Sequence, residues 1–152
     1  MHNKKLFLLI FTITNLLIYS KSFAAITEEQ PLSFGSFAIG KNDAVSTLKI
    51  PHASGIPTAT YKMFPLTRGQ PGIFRLSAYP AFSPLMINIT NFQLNLGASP
   101  ILYIEDFTFD PVNTNAAGEA ILTIGATLKT SGLGGNYGDG NYSGTMNITV
   151  NW

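Results

Sequence analysis

The sequence predicts an all-β protein, and three observations lead to that class. Short runs of β-branched and aromatic residues recur along the chain between clusters of Gly, Pro and Asn, as in strands joined by turns. Beyond residue 24, no segment keeps a helical period for three turns. Two segments near the C-terminus alternate apolar and polar residues, which is the period of a half-buried strand.

The first residues have the order of a secretory signal peptide. Two lysines precede an apolar stretch over residues 6–19, and small residues follow it. Cleavage after Ala24 places Ser22 and Ala24 where signal peptidase requires small side chains. A membrane anchor is the alternative, but the stretch covers only about two-thirds of the ~20 apolar residues that span a bilayer. We therefore expect residues 1–24 to be removed during export.

Residues 25–152 are predicted to form one domain, with a size typical of a single hydrophobic core. Charged residues make up 11% of the chain and the net charge is +1, which argues against a nucleic-acid partner. The chain has no cysteine, so disulfides and thiol chemistry are excluded. After signal removal no segment could span a lipid bilayer as a helix.

We predict eight strands in this domain. They cover residues 32–39, 45–50, 58–64, 73–78, 85–96, 101–109, 120–129 and 142–152. The first four are short and are separated by Gly and Pro residues, which punctuate strands. In the fifth, the apolar side chains are odd-numbered from 85 to 89 and even-numbered from 92 to 96. This phase change predicts a bulge or corner at Thr90-Asn91, where a strand passes between two packed sheets.

The last two strands have the clearest alternation. Even-numbered apolar residues from 120 to 128 share one face of the seventh strand. In the eighth, one face is predicted to carry Tyr142, Met146, Ile148, Val150 and Trp152. The link over 130–141 holds five glycines and is predicted to be mobile. Tyr137 within it is the aromatic residue that we expect to contact something outside the domain.

Several short motifs occur in a characteristic order. They are Leu-Ser-Phe-Gly at 32–35, Arg-Gly-Gln-Pro-Gly at 68–72, Ile-Glu-Asp-Phe at 104–107, the stretch 124–128, and Tyr-Ser-Gly-Thr opening 142–152. In this order the chain resembles a family of secreted bacterial β-domains, largely of unknown function, grouped with pilin-like and spore-coat-U-like proteins. The resemblance covers nearly all of residues 25–152.

This resemblance implies an immunoglobulin-like antiparallel β-sandwich of about seven to eight strands. It also implies export by a Gram-negative bacterium to the periplasm, cell surface, fimbrium or medium, as a fimbria-like structural subunit. The implied partners are a periplasmic chaperone and identical or related subunits, joined by β-strand addition. The predicted interaction strand consists of Tyr142, Met146, Ile148, Val150 and Trp152.

The N-terminal segment departs from the pilin pattern. Only residues 25–30 precede the Leu-Ser-Phe-Gly motif, and Ile26 is their one large apolar residue. Glu28 and Glu29 would place charge in a groove built for alternating apolar side chains. This segment is therefore predicted to be a poor donor strand, which favours a minor subunit, a terminal subunit or a self-complete domain.

No residue pattern predicts catalysis, a cofactor or a metal. His52 lies in a turn-like stretch without a nucleophile motif, and Glu105 and Asp106 are strand neighbours expected on opposite faces. The oxygen-rich loop at 110–115, with Glu119, does not match a calcium-binding loop and is typical of a hairpin turn.

Two alternatives to the structural-subunit interpretation stay open. Trp152, which ends an alternating strand, is also consistent with a small outer-membrane β-barrel, although the stretch 101–104 is apolar on both faces, unlike a barrel strand. The other alternative is a self-complete soluble binding domain.

Overall fold

The computed structural model of the protein describes residues 23–53, 55–97 and 101–152. Most of the predicted signal peptide lies outside these residues, so cleavage after Ala24 stays a prediction. The described residues form antiparallel strands and no helix, which confirms the all-β class. The strands are β1 (Ala25–Gln30), β2 (Phe37–Ile39), β3 (Thr47–Ile50), β4 (Thr58–Ala59), β5 (Met63–Pro65), β6 (Gly72–Ser77), β7 (Pro84–Ile89), β8 (Phe92–Leu94), β9 (Leu102–Thr108), β10 (Val112–Asn113), β11 (Ala120–Lys129) and β12 (Ile148–Asn151).

Strand β11 is the centre of the larger, seven-stranded sheet. Its first half, Ala120 to Ile124, pairs with β6, and its second half pairs with both β3 and β9. Strands β1, β4 and β8 extend the sheet from β6, β3 and β9. Because β11 has neighbours on both edges of its second half, even Thr127 is only 7% exposed there.

A smaller sheet contains three strands in the order β10-β7-β12. Strand β7 pairs with β12 in this sheet, whereas β8, only two residues later, pairs with β9 in the larger sheet. The change of sheet occurs at Thr90-Asn91, where the predicted strand 85–96 changes phase. The predicted corner is therefore confirmed.

The N-terminal part differs from the prediction in two ways. Residues 25–30, for which no strand was predicted, form β1 and pair antiparallel with β6. Within the predicted strand at 32–39, only β2 and an isolated bridge between Ser33 and Gln70 have strand pairing. Gly35 interrupts the predicted strand with a φ of +69°, a conformation that favours glycine. A Cβ atom at this position would also overlap the carbonyl oxygen of Thr67.

The described residues form twelve strands where eight were predicted, because turns divide two of the predicted strands and because β1 and β10 lie outside all of them. The segment 58–64 splits into β4 and β5 at Tyr61, whose φ of 59° lies in the left-handed region. The corner at Thr90-Asn91 divides the other. Strand β5 then pairs with β2 in a separate two-stranded sheet.

Two hydrophobic clusters stabilise the fold. The first contains Phe34, Leu48, Ile50, Met63, Leu102, Ile104, Ala126 and Leu128. The second contains Phe74, Leu76, Tyr79, Leu85, Val112, Leu122 and Ile124. The clusters divide along β11 at Gly125, and Phe107 packs against both of them. In a chain without cysteine, this packing and the strand pairing carry the stability.

Gly125 is predicted to be indispensable for the junction between the clusters. A Cβ atom at this position would overlap the carbonyl oxygen of Ile50 and the amide nitrogen of His52. We expect Gly125→Ala to lower the free energy of unfolding by about 2–3 kcal/mol, because rigid backbone atoms must move apart.

The matched control is Gly134→Ala, since Gly134 has open space around it and a φ of +83°. In this variant the free energy of unfolding should fall by only about 1 kcal/mol, because alanine is strained in the left-handed backbone conformation. Urea unfolding of both variants measures the difference. Equal losses would contradict a packing role for Gly125.

Candidate functional site

A groove of about 710 Å³ opens on one side of the domain. We call it the interstrand groove. Its first wall is segment 31–39, and its second wall is segment 137–146. Every residue of both segments lines it.

The first wall directs alternate backbone groups into the groove. The amide of Leu66 donates to the carbonyl of Ser36 at 2.8 Å, and the amide of Gly40 donates to the carbonyl of Lys62 at 2.8 Å. Residues 36 and 40 therefore point toward β5 and its flanks. In an antiparallel pair, neighbouring residues point to opposite edges. The N–H and C=O groups of Phe37 and Ile39 consequently face the groove.

The second wall makes one backbone bridge, at Ser143, and the chain makes another backbone hydrogen bond just beyond it. The amide of Asn95 donates to the carbonyl of Ser143 at 3.3 Å, and that of Thr90 donates to the carbonyl of Asn147 at 3.4 Å. Beyond the wall, β12 continues along β7. The groove thus lies between a segment that contains β2 and a largely irregular segment.

The floor of the groove is apolar and aromatic. It includes side chains from both hydrophobic clusters and their margins, namely Phe34, Phe37, Ile39, Phe74, Phe92, Leu94, Tyr142 and Met146. The ring of Phe92 stacks on that of Phe107, with centroids 6.1 Å apart. The groove therefore presents apolar side chains beside the backbone edge of β2, a surface on which an extended strand can bind.

The predicted interaction strand is divided between the groove and the core. Met146, Ile148 and Val150 pack against the second cluster, and Tyr142 packs against the first. Of the predicted set, only Tyr142 and Met146 line the groove. Trp152 is 64% exposed and meets the ring of Tyr79 edge-on, with centroids 5.1 Å apart.

The predicted alternation over 142–152 is present, but most of the segment is not a regular strand. Only Ile148–Asn151 has strand geometry, preceded by a bridge at Ser143. Gly144 lies so close to the carbonyl of Gln93 that a Cβ atom would overlap it. This close approach brings the second wall against β8.

The glycine-rich segment is anchored by Tyr137, which also lines the groove, so its contact with something outside the domain stays a prediction. Its ring is half-buried against the first cluster. Its hydroxyl accepts a hydrogen bond from the Ser131 amide at 3.0 Å and donates one to the Ile101 carbonyl at 3.3 Å. Tyr142 adds a bond from its hydroxyl to the Gly138 carbonyl at 3.0 Å.

Glu105 and Asp106 do not point to opposite faces, so that prediction was wrong. Both carboxylates contact the Lys129 ammonium, at 3.0 Å and 2.7 Å. The φ of 51° at Asp106 places a bulge in β9 that turns its side chain toward the same lysine. The Asp106 and Glu105 carboxylates raise the pKa of the Lys129 ammonium. The arrangement is an ion-pair cluster on partly exposed side chains.

His52 and the oxygen-rich loop at 110–115 take part in loop contacts. His52 Nε2 lies 3.2 Å from Oδ1 of Asp110, which is 83% exposed. Asn115 Oδ1 accepts hydrogen bonds from the amides of Ala117 and Glu119, as in a turn. Among the residues that the structure describes, no group of three His, Asp or Glu side chains is placed to hold a metal ion.

The side-chain periodicity did not predict that segment 31–39 would form a wall of the groove. Phe37 and Ile39 were assigned to an ordinary strand, and nothing in their alternation shows which edge is paired. Gly35 was the one feature of the sequence that indicated an irregular strand here, because a glycine inside a strand often marks a bend or a close approach of another backbone.

We predict that the Tyr137 hydroxyl holds the glycine-rich segment in place. Tyr137→Phe removes two hydrogen bonds and should lower the free energy of unfolding by about 1 kcal/mol. It should also speed hydrogen exchange at the Ser131 amide. Tyr61→Phe is the control, because Tyr61 is 67% exposed. An unchanged exchange rate at Ser131 would show that the hydroxyl does not anchor the segment.

Comparison with known proteins adds one assignment. No helix in the described part of the chain is long and apolar enough to cross a membrane. No curated protein and no solved structure matches the chain. One family model matches residues 24–152, which is most of the chain and includes both walls of the groove. The chain therefore belongs to the family described as the domain of unknown function DUF4402.

Proposed function

We propose that this protein is a secreted surface structural subunit, fimbria-like and without catalytic activity, that assembles by accepting a β-strand. In this proposal the domain is an immunoglobulin-like, pilin-like sandwich, exported by a Gram-negative bacterium. The interstrand groove is its assembly site. The observation that carries the proposal is an apolar groove that runs along an edge of β2 not paired with β5.

Unpaired strand edges favour this function for a physical reason. An open edge presents a row of N–H and C=O groups, which bind another extended chain through backbone hydrogen bonds. Phe37 and Ile39 direct such groups into the groove, and aromatic and aliphatic side chains form its floor. A strand inserted there gains ladder hydrogen bonds from the walls and burial of alternate side chains on the floor.

Strand β12 has a supporting role in this proposal. Its side chains Ile148 and Val150 complete the second cluster, while Met146 and Tyr142 extend the same segment into the groove. The segment therefore connects the core to the assembly site. Truncation of the C-terminus would damage both, so a test of assembly needs a finer probe.

Hydrogen exchange at the first wall provides that probe. In the isolated protein, the amides of Phe37 and Ile39 should exchange rapidly, because these residues form non-hydrogen-bonded pairs with β5. The amide of Ala38 should be slow, because the hydrogen bonds at residues 36 and 40 make Ala38 and Phe64 a hydrogen-bonded pair. In material sheared from the surface of producing cells, an inserted strand should slow Phe37 and Ile39 by at least about tenfold, equivalent to about 1.4 kcal/mol.

Ala38 serves as the internal control, because it lies between the two reporters and keeps its partner in both states. Protection of Phe37 and Ile39 in the assembled material supports strand addition. Equal exchange in both states, or recovery of only monomers from the cell surface, contradicts it.

A further inference from the structure

The charged residues that line the interstrand groove are both acidic. They are Glu28 and Asp139, and both side chains are exposed. No Lys or Arg is among the groove-lining residues. Neither carboxylate has an ion-pair partner among the described side chains, whereas the adjacent Glu29 pairs with Arg75 at 2.6 Å. The two carboxylates are therefore available to a ligand in the groove.

The two carboxylates lie beside different hydrophobic clusters. Glu28 lies in β1 directly opposite Phe74, a member of the second cluster. Asp139 lies in the glycine-rich segment between Tyr137 and Tyr142, which pack against the first cluster. The floor runs from one cluster to the other. A strand that lies along it would place one end near each carboxylate.

The chain's own N-terminal strand is a poor occupant. Strand β1 already pairs with β6, and its Glu29 forms an ion pair there. In a second copy of the chain, Glu28 and Glu29 of this strand would have the same sign as the carboxylates that line the groove, and like charges repel at such contacts. Ile26 is its one large apolar side chain, against a floor that offers many aromatic and aliphatic contacts.

We propose, resting on the proposed function of the groove, that its occupant is a strand from a different polypeptide, with alternating apolar residues and a basic residue at each end. The apolar residues pack on the floor. The two basic side chains pair with Glu28 and Asp139, which fixes the register of the inserted strand. Because both carboxylates are exposed, each pairing changes affinity only about two- to fivefold, and added salt weakens it.

Synthetic peptides test this specificity directly on protein expressed from its complete sequence and purified after export. The first peptide alternates Val and Ile with Thr and carries Lys at both ends. The second has the same centre with Glu at both ends. The third contains the residues of the first in an order that breaks the alternation. Isothermal titration calorimetry gives the affinities at low and high salt.

We expect the Lys-ended peptide to bind most tightly, and the order-broken peptide not to bind. Glu28→Gln and Asp139→Asn should each weaken the Lys-ended peptide about two- to fivefold, and should not weaken the Glu-ended one. Glu119→Gln is the control, since Glu119 carries the same charge outside the groove.

The outcomes separate this inference from the proposed function. Equal binding of the Lys-ended and Glu-ended peptides, unchanged in the two variants, overturns the charge specificity but leaves a strand-accepting groove. Tight binding of a peptide copy of residues 25–30 overturns the exclusion of the chain's own strand. Failure of every alternating peptide to bind overturns the charge specificity together with the groove function.

Discussion

Backbone hydrogen bonding at the edges of strands is the constraint on which this structure depends. Strand β11 has partners on both edges of its second half, and it joins β3, β6 and β9 into one sheet. Strands β2 and β12 lie at the other extreme, because within the described residues each has a strand partner on one edge only. The paired strands supply stability, and the edges beside the groove supply the surface on which we base the function.

The two hydrophobic clusters support the two walls of the groove, segments 31–39 and 137–146. Leu122 and Ile124 belong to one cluster and Ala126 and Leu128 to the other, so a single strand connects both cores through Gly125. The groove floor draws side chains from both clusters. Its shape is therefore set by the same packing that stabilises a chain without disulfides, and substitutions in the floor will affect stability as well as binding.

The alternation of side chains predicted much of the fold. It located β11, the corner at Thr90-Asn91, and the inward face of the last segment, since burial on one face imposes a period of two. Periodicity gives no information on strand edges, so the pairing of β1 with β6 and the groove beside Phe37 were not predicted. Positive φ at Tyr61 and Asp106 also went unforeseen, because tertiary contacts stabilise that backbone conformation in residues other than glycine.

The central claim is that the interstrand groove accepts a strand from another polypeptide. An electron cryo-microscopy structure of the material sheared from producing cells tests it most directly. The account predicts continuous extended density between segments 31–39 and 137–146, hydrogen-bonded to Phe37 and Ile39 and belonging to a different chain. A groove that is empty in the assembly, or that is filled by the same chain's glycine-rich segment, would contradict it.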